Sequence, residues 1–173
     1  MPSKNVQLTQ RDHHGLERKF PVCFLATDFD VPMNVGSLFR IADALGVEKI
    51  HLTGRSIVPP NSKISRTSRY AERYVAHAYR ESALMVVAEL KQAGYTIISL
   101  EITTASIDIR TLTLAADAKV CLILGSDETG VAQELLDVSD YTVHIPMLGR
   151  NSSMNVATAC AIATFEIVKK YLT

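Results

Sequence analysis

Three polar segments hold the residues of this sequence best suited to chemistry: 34–40, from Asn34 to Arg40; 125–130, Gly-Ser-Asp-Glu-Thr-Gly; and 146–155, with Asn151, Ser152, Ser153 and Asn155. Each follows an apolar run that reads as a strand, so each falls at the carboxyl edge, where open α/β sheets bind ligands. Asparagine, aspartate and serine offer short hydrogen-bonding groups, and arginine a planar fork for phosphate or carboxylate. The phosphate fingerprints G-x-G-x-x-G and G-x-x-x-x-G-K-[ST] do not occur, nor do H-E-x-x-H, a Cys/His cluster or a G-x-S-x-G elbow. A phosphate-loop nucleotide enzyme, a metal enzyme and a serine hydrolase are therefore disfavoured. The acidic stretch 28–34, with Pro32, is also a poor phosphate loop after the first strand. Taken singly, the pieces have plain structural readings. Arg40 lies opposite the apolar stripe of its helix, 125–130 could be a tight strand-to-helix turn, and 151–153 could cap the last helix.

The elements that must position these segments alternate along the chain. Residues 22–26, 47–52, 95–100, 120–124 and 141–145 read as strands, and 72–78 as a short one. Val35, Leu38, Phe39, Ala42 and Leu45 form a helical stripe, with Asn34 the expected N-cap and Gly46 the C-cap. Residues 82–93, 131–138 and 153–172 are the other expected helices, and a Pro/Ser-rich loop follows Leu52 through Pro59-Pro60. The run 120–124 suits a strand buried on both faces. The expectation is one α/β domain over 1–173, a mostly parallel sheet covered by helices on both faces, with 1–20 an N-terminal extension. From Met154 to Phe165 the final helix is apolar or small nearly all round, and a partner subunit is the simplest source of the cover it needs.

At 47% hydrophobic and 21% charged, the 173 residues have the balance of a folded α/β chain rather than a disordered one. No apolar run approaches the ~20 residues that span a bilayer, and the N-terminus shows no apolar leader, so the expected location is the cytoplasm. Cys23, Cys121 and Cys160 lie in apolar runs without ligand spacing and read as inert core thiols. A net charge of zero argues against indiscriminate polyanion binding. Residues 55–80 depart from that average, with Arg55, Lys63, Arg66, Arg69, Arg73 and Arg80 against Glu72 alone. This stretch reads either as a solvated face or as a patch for RNA phosphates, with Tyr70 and Tyr74 available for stacking. The 4–19 region is a second candidate for RNA contact.

In order, Asn34-Val-Gly-Ser-Leu-Phe-Arg40, Gly125-Ser-Asp-Glu-Thr-Gly130 and Ile145-Pro-Met-Leu-Gly-Arg-Asn-Ser-Ser-Met-Asn-Val156 resemble the three signature motifs of the SpoU-type (TrmH-like) RNA ribose 2′-O-methyltransferases of the SPOUT superfamily. The resemblance covers residues 21–170, and the stretch 28–34 most resembles the compact branch acting on tRNA. It implies a deep C-terminal trefoil knot over about 120–170, a homodimer formed through the C-terminal helix, and S-adenosylmethionine as cofactor. It implies that Leu100, Gly125, Ile145, Met147 and Ser153 hold that cofactor, with Gly125 letting the backbone approach it, and that no metal takes part. Arg40 takes the position of the family's catalytic arginine, with Asn34 and Asn155 in the same machinery. An arginine is a poor proton acceptor, so a bidentate hold on the neighbouring phosphate is the expected role. Asn34 and Asn155 are expected to hold the site loops together. Asp127 stands where the second motif usually has Glu; either it reaches the same partner, or Glu128 replaces it, or the loop has drifted. The substrate implied is tRNA or rRNA. The alternatives are an RNA-binding knot protein without catalysis, a SPOUT enzyme that methylates a base nitrogen, and an unrelated Rossmann-like enzyme.

Overall fold

The computed structural model describes residues 4–172. Seven strands form one sheet: β1 (Phe20–Thr27), β2 (Val47–Thr53), β3 (Ala76–Arg80), β4 (Tyr95–Leu100), β5 (Ile107–Asp108), β6 (Lys119–Leu124) and β7 (Tyr141–His144). They lie in the order β3-β2-β1-β6-β4-β7-β5, and every neighbouring pair is parallel. Five α-helices accompany them among the described residues: α1 (Pro32–Leu45), α2 (Ser62–Ser68), α3 (Ala83–Gln92), α4 (Gln133–Val138) and α5 (Val156–Lys169), which follows the last strand.

Strand alternation divides the interior into two layers. Val22, Phe24 and Ala26 of β1 point to the side of α1, α2 and α5, where they join Leu38, Phe39, Ile64, Cys160 and Ile167. Cys23 and Leu25 point the other way, towards Val86 and Val87 of α3 and Leu135 of α4. Val120 to Leu124 of β6 are fully buried, as a continuous β-branched and leucine run requires at the centre of a doubly covered sheet. All three cysteines are buried. Burial pushes the Cys160 thiol up to about 12, while a hydrogen bond between the paired Cys23 and Cys121 lowers the first and raises the second. No helix among the described residues is long and apolar enough to cross a membrane.

The chain runs from β6 into α4 on one face, returns through β7, and then crosses the carboxyl edge of the sheet to reach α5 on the other face. That crossing gathers the three polar segments. Several boundaries differ from expectation. Asn34 is not the N-cap of α1: Val31 is, with Pro32 in the first turn, where a missing N–H costs nothing. α5 starts at Val156, and its cap is Asn155, whose side chain accepts from Ala157 N and Thr158 N at 3.0 and 3.2 Å, rather than 151–153. The Pro/Ser-rich loop leads into a helix outside those expected, α2, capped by Asn61. The expected strand over 72–78 is a 3-10 turn, Ala71–Arg73, followed by β3. On α5, Ile162 and Phe165 remain 40% and 57% exposed, so this chain leaves part of the helix's apolar surface uncovered.

α2 approaches α1 closely at Gly36. A Cβ there would stand 2.7 Å from Thr67 Cβ and 2.8 Å from the Ile64 carbonyl oxygen. Gly→Ala inside a helix normally stabilises by up to ~1 kcal/mol. Gly36→Ala is expected instead to destabilise by about 1–3 kcal/mol, the scale of overpacking, read as a lower urea midpoint at unchanged slope.

Candidate functional site

The carboxyl ends of β6, β4 and β7, three adjacent strands, open onto a cavity of about 470 Å³, within the ordinary range for small-molecule sites. Leu100, Gly125, Ile145, Met147 and Ser153, the five residues expected to hold the cofactor, all line it. Three carboxylates, Glu101, Asp127 and Glu128, line it too, with His144, and among the described residues no lysine or arginine does. A wall of this kind disfavours a phosphate-bearing ligand and suits one with positive charge on an apolar body.

Two glycines shape the floor. Gly130 lies in the left-handed region at φ 69°, and Ser126 and Gly130 form an isolated antiparallel bridge that closes the loop. A Cβ on Gly125 would stand 2.1 Å from the Gly130 carbonyl carbon. The demand for glycine at 125 therefore comes first from the loop closing on itself, not from a ligand. A Cβ on Gly130 would meet Glu101 Oε2 at 2.3 Å.

Glu101 is the residue that sequence reasoning missed. Its Oε2 accepts from Val131 N and its Oε1 from Ile102 N, each at 2.9 Å, so it ties the loop after β4 to the loop after β6. The available signal was a carboxylate directly after a predicted strand end, beside Leu100. Ser106 secures the same loop from the far side, accepting from Thr103 N at 3.0 Å and lying 3.0 Å from His144 Nδ1.

Asn34, Asp127 and Asn155 form a lock at the mouth. Asn34 donates to Asp127 Oδ2, Val156 N donates to Asp127 Oδ1 at 3.1 Å, and Asn155 Nδ2 donates to Asn34 Oδ1 at 3.1 Å. Aspartate at this position thus reaches its partners; Glu128 lines the cavity but makes no hydrogen bond among the described residues. Asn34 and Asn155 stand outside the cavity lining, as holders of loops.

Arg40 is exposed on α1, also outside the lining, six residues past Asn34 and so roughly 9 Å further along the axis. It has no hydrogen-bond or ion-pair partner among the described residues. Lys63, Arg66, Arg69 and Arg73 are exposed on α2 and the turn that follows. Arg55 differs, because Asp28 accepts its N–H at 2.9 Å and lies 3.7 Å from its Nε. Arg80 leaves the patch altogether, paired with Glu89 of α3 at 2.8 and 3.0 Å on the other side of the sheet. Glu72 turns inward onto Ser65 and Ser68; burial resists its ionisation, but these hydroxyls outweigh it and hold its carboxyl below the usual range.

The profile described as the SpoU rRNA Methylase family matches residues 21–165. A protein of Staphylococcus haemolyticus assigned to the TrmH family of tRNA/rRNA methyltransferases is 28% identical over 162 residues, covering 94% of this chain and 62% of that protein. The SpoU methyltransferase AviRb from Streptomyces viridochromogenes, in complex with AdoMet, superposes with a TM-score of 0.79 at 25% identity, over 90% of this chain and 59% of its own. The AdoMet-bound rRNA methyltransferase from Sinorhizobium meliloti gives 0.80 at 26%, over 94% and 60%. The chain spans about three-fifths of the length of these relatives.

Asp127→Ala should release the start of α5 without unfolding the sheet. Hydrogen exchange at Val156 and Ala157 is expected to accelerate about tenfold, the scale of one lost charge-assisted bond, while β1 and β6 amides keep their protection. Equal acceleration throughout would mean that the lock stabilises the whole fold and does not act locally.

Proposed function

The chain belongs to the SpoU rRNA Methylase family, and from that premise we propose that it transfers a methyl group from S-adenosylmethionine to a ribose 2′-hydroxyl of tRNA or rRNA. The observation that carries the cofactor assignment is the cavity wall, with three carboxylates against one histidine, His144, no lysine or arginine among the described residues, and apolar cover from Leu100, Ile145 and Met147. It suits a ligand that pairs an adenine with a cationic sulfur and an ammonium group, and suits a dinucleotide badly. When bound, this cofactor supplies an electrophilic methyl group on a sulfonium sulfur.

The chain's own residues do the rest. Leu100, Ile145 and Met147 exclude water around the base, while Gly125 at the floor and Ser153 on the wall offer polar groups. Arg40 holds the phosphate beside the target ribose bidentately, aligning the hydroxyl and stabilising charge as the proton passes to a non-bridging oxygen of that phosphate. Asn34, Asp127 and Asn155 position the loops and α1 relative to one another, and act on the reaction only through that placement. Lys63, Arg66, Arg69, Arg73 and Arg55 meet the RNA backbone.

The remaining family features belong to the same reading: one SPOUT domain over 1–173 with its first 20 residues an extension, a trefoil knot over about 120–170, and a homodimer. The crossing of the chain from β7 to α5 supports the knot, and exposed Ile162 and Phe165 support a partner on α5. The same reading includes a cytoplasmic location.

Arg40→Ala is expected to bind S-adenosylmethionine with wild-type affinity by calorimetry, and to lose methyl transfer by at least about 100-fold. Mass spectrometric mapping of 2′-O-methyl nucleotides, in RNA from cells with and without the protein, identifies the target. A new methyl on a base nitrogen would overturn the ribose assignment. Full activity in Arg40→Lys would overturn the bidentate role.

A further inference from the structure

α2 ends on two consecutive left-handed residues that are not glycine, Arg69 at φ 53° and Tyr70 at φ 67°. Bulky side chains avoid this region, so two in succession are held there only by their surroundings. The reversal they make returns the turn Ala71–Arg73 alongside α2 and sets the Arg73 guanidinium 4.4 Å from the Tyr70 ring centre. Tyr70 nevertheless stays 53% exposed, and Tyr74 62%. One side of the Tyr70 ring is backed by a cation, and much of the ring faces solvent.

The surroundings are basic in effect as well as in composition. Glu72, the only carboxylate between residues 55 and 80, is turned onto Ser65 and Ser68. Lys63, Arg66, Arg69 and Arg73 form no salt bridge among the described residues. The segment is also rigidly placed. α2 rests on α1 at Gly36, and Arg40 lies one helical turn beyond Gly36 on the same face.

We propose that Tyr70, backed by Arg73, is a stacking platform for one unpaired base of a single-stranded RNA segment, its flanking phosphates held by Lys63, Arg66 and Arg69. The proposal rests on the RNA-methyltransferase reading and narrows it, placing the methylated nucleotide in a loop with its neighbour stacked on Tyr70. A tyrosine ring presents an apolar face to any base, and a guanidinium on its far side adds cation–π attraction. Bases in a duplex cannot reach such a platform, whereas those of an RNA loop can be splayed out onto it.

The test uses the full chain and a single-stranded RNA octamer carrying one 2-aminopurine, with the same sequence as a duplex for comparison, at fixed salt. Wild-type binding is expected to quench 2-aminopurine fluorescence in the single strand only. Tyr70→Leu should weaken single-strand binding about tenfold and abolish the quench, the scale of one lost base–aromatic stack, while Tyr70→Phe keeps both. Arg73→Gln should weaken it about threefold. S-adenosylmethionine calorimetry on each variant reports that it is folded. Undiminished binding and quenching in Tyr70→Leu, or an equal loss for duplex and single strand, overturns the platform and leaves the methyltransferase reading standing. A wild-type protein that binds neither RNA overturns both.

Discussion

The carboxylate of Asp127 is the point at which distant parts of the chain are made to agree. It receives Asn34 from the first turn of α1 and the Val156 N–H from the first turn of α5, while Asn155 closes the ring by donating to Asn34. These residues lie 93, 29 and 121 positions apart pairwise, so their meeting is a statement about topology rather than about local structure. Hydrogen bonds this near the surface each stabilise by only about 1 kcal/mol, since water offers nearly equivalent partners. Their effect is directional. A loop that would otherwise sample many conformers is held in the one that forms the wall of the cavity.

That wall depends on a second constraint, the closure of the 125–130 loop on itself. Gly125 and Gly130 touch backbone to backbone, and Glu101 fills the space a side chain on Gly130 would need. Glu101 in turn satisfies the Val131 amide at the end of the tight turn and the Ile102 amide in the loop after β4. The same carboxylate that solves a backbone problem thereby adds negative charge to the cavity. Structural need and ligand electrostatics coincide in this one residue, so part of the cavity's negative charge is built into the loops that form its wall.

The α/β alternation, the buried β6 and the C-cap at Gly46 were legible in the sequence because each rests on short-range pattern. The five cavity residues were legible only through the family resemblance, which carries long-range information that spacing alone lacks. What escaped was decided by tertiary contact. α2 is a seven-residue helix in a stretch rich in proline and serine, and its close seat on Gly36 gives it packing that its own propensity does not. Asn34 reads as a cap from its residue type, yet Pro32 starts the helix earlier and leaves Asn34 free to reach Asp127. Arg80 looked like one more positive charge until the register of β3 turned it towards Glu89.

α1 joins these constraints into one device. Its first turn carries Asn34 and the lock, its second carries Gly36 and the seat of α2, and its third carries Arg40. A helix is stiff over so short a span, so once the lock sets its first turn, the positions of the other two follow. The basic turn beyond α2 inherits its place from Gly36, and Arg40 inherits its place from the same axis. A single rigid element therefore relates the acidic cavity at one end to the cationic surface at the other. Loosening at Asp127 would be felt at Arg40 as a change of direction, even though no hydrogen bond connects the two side chains.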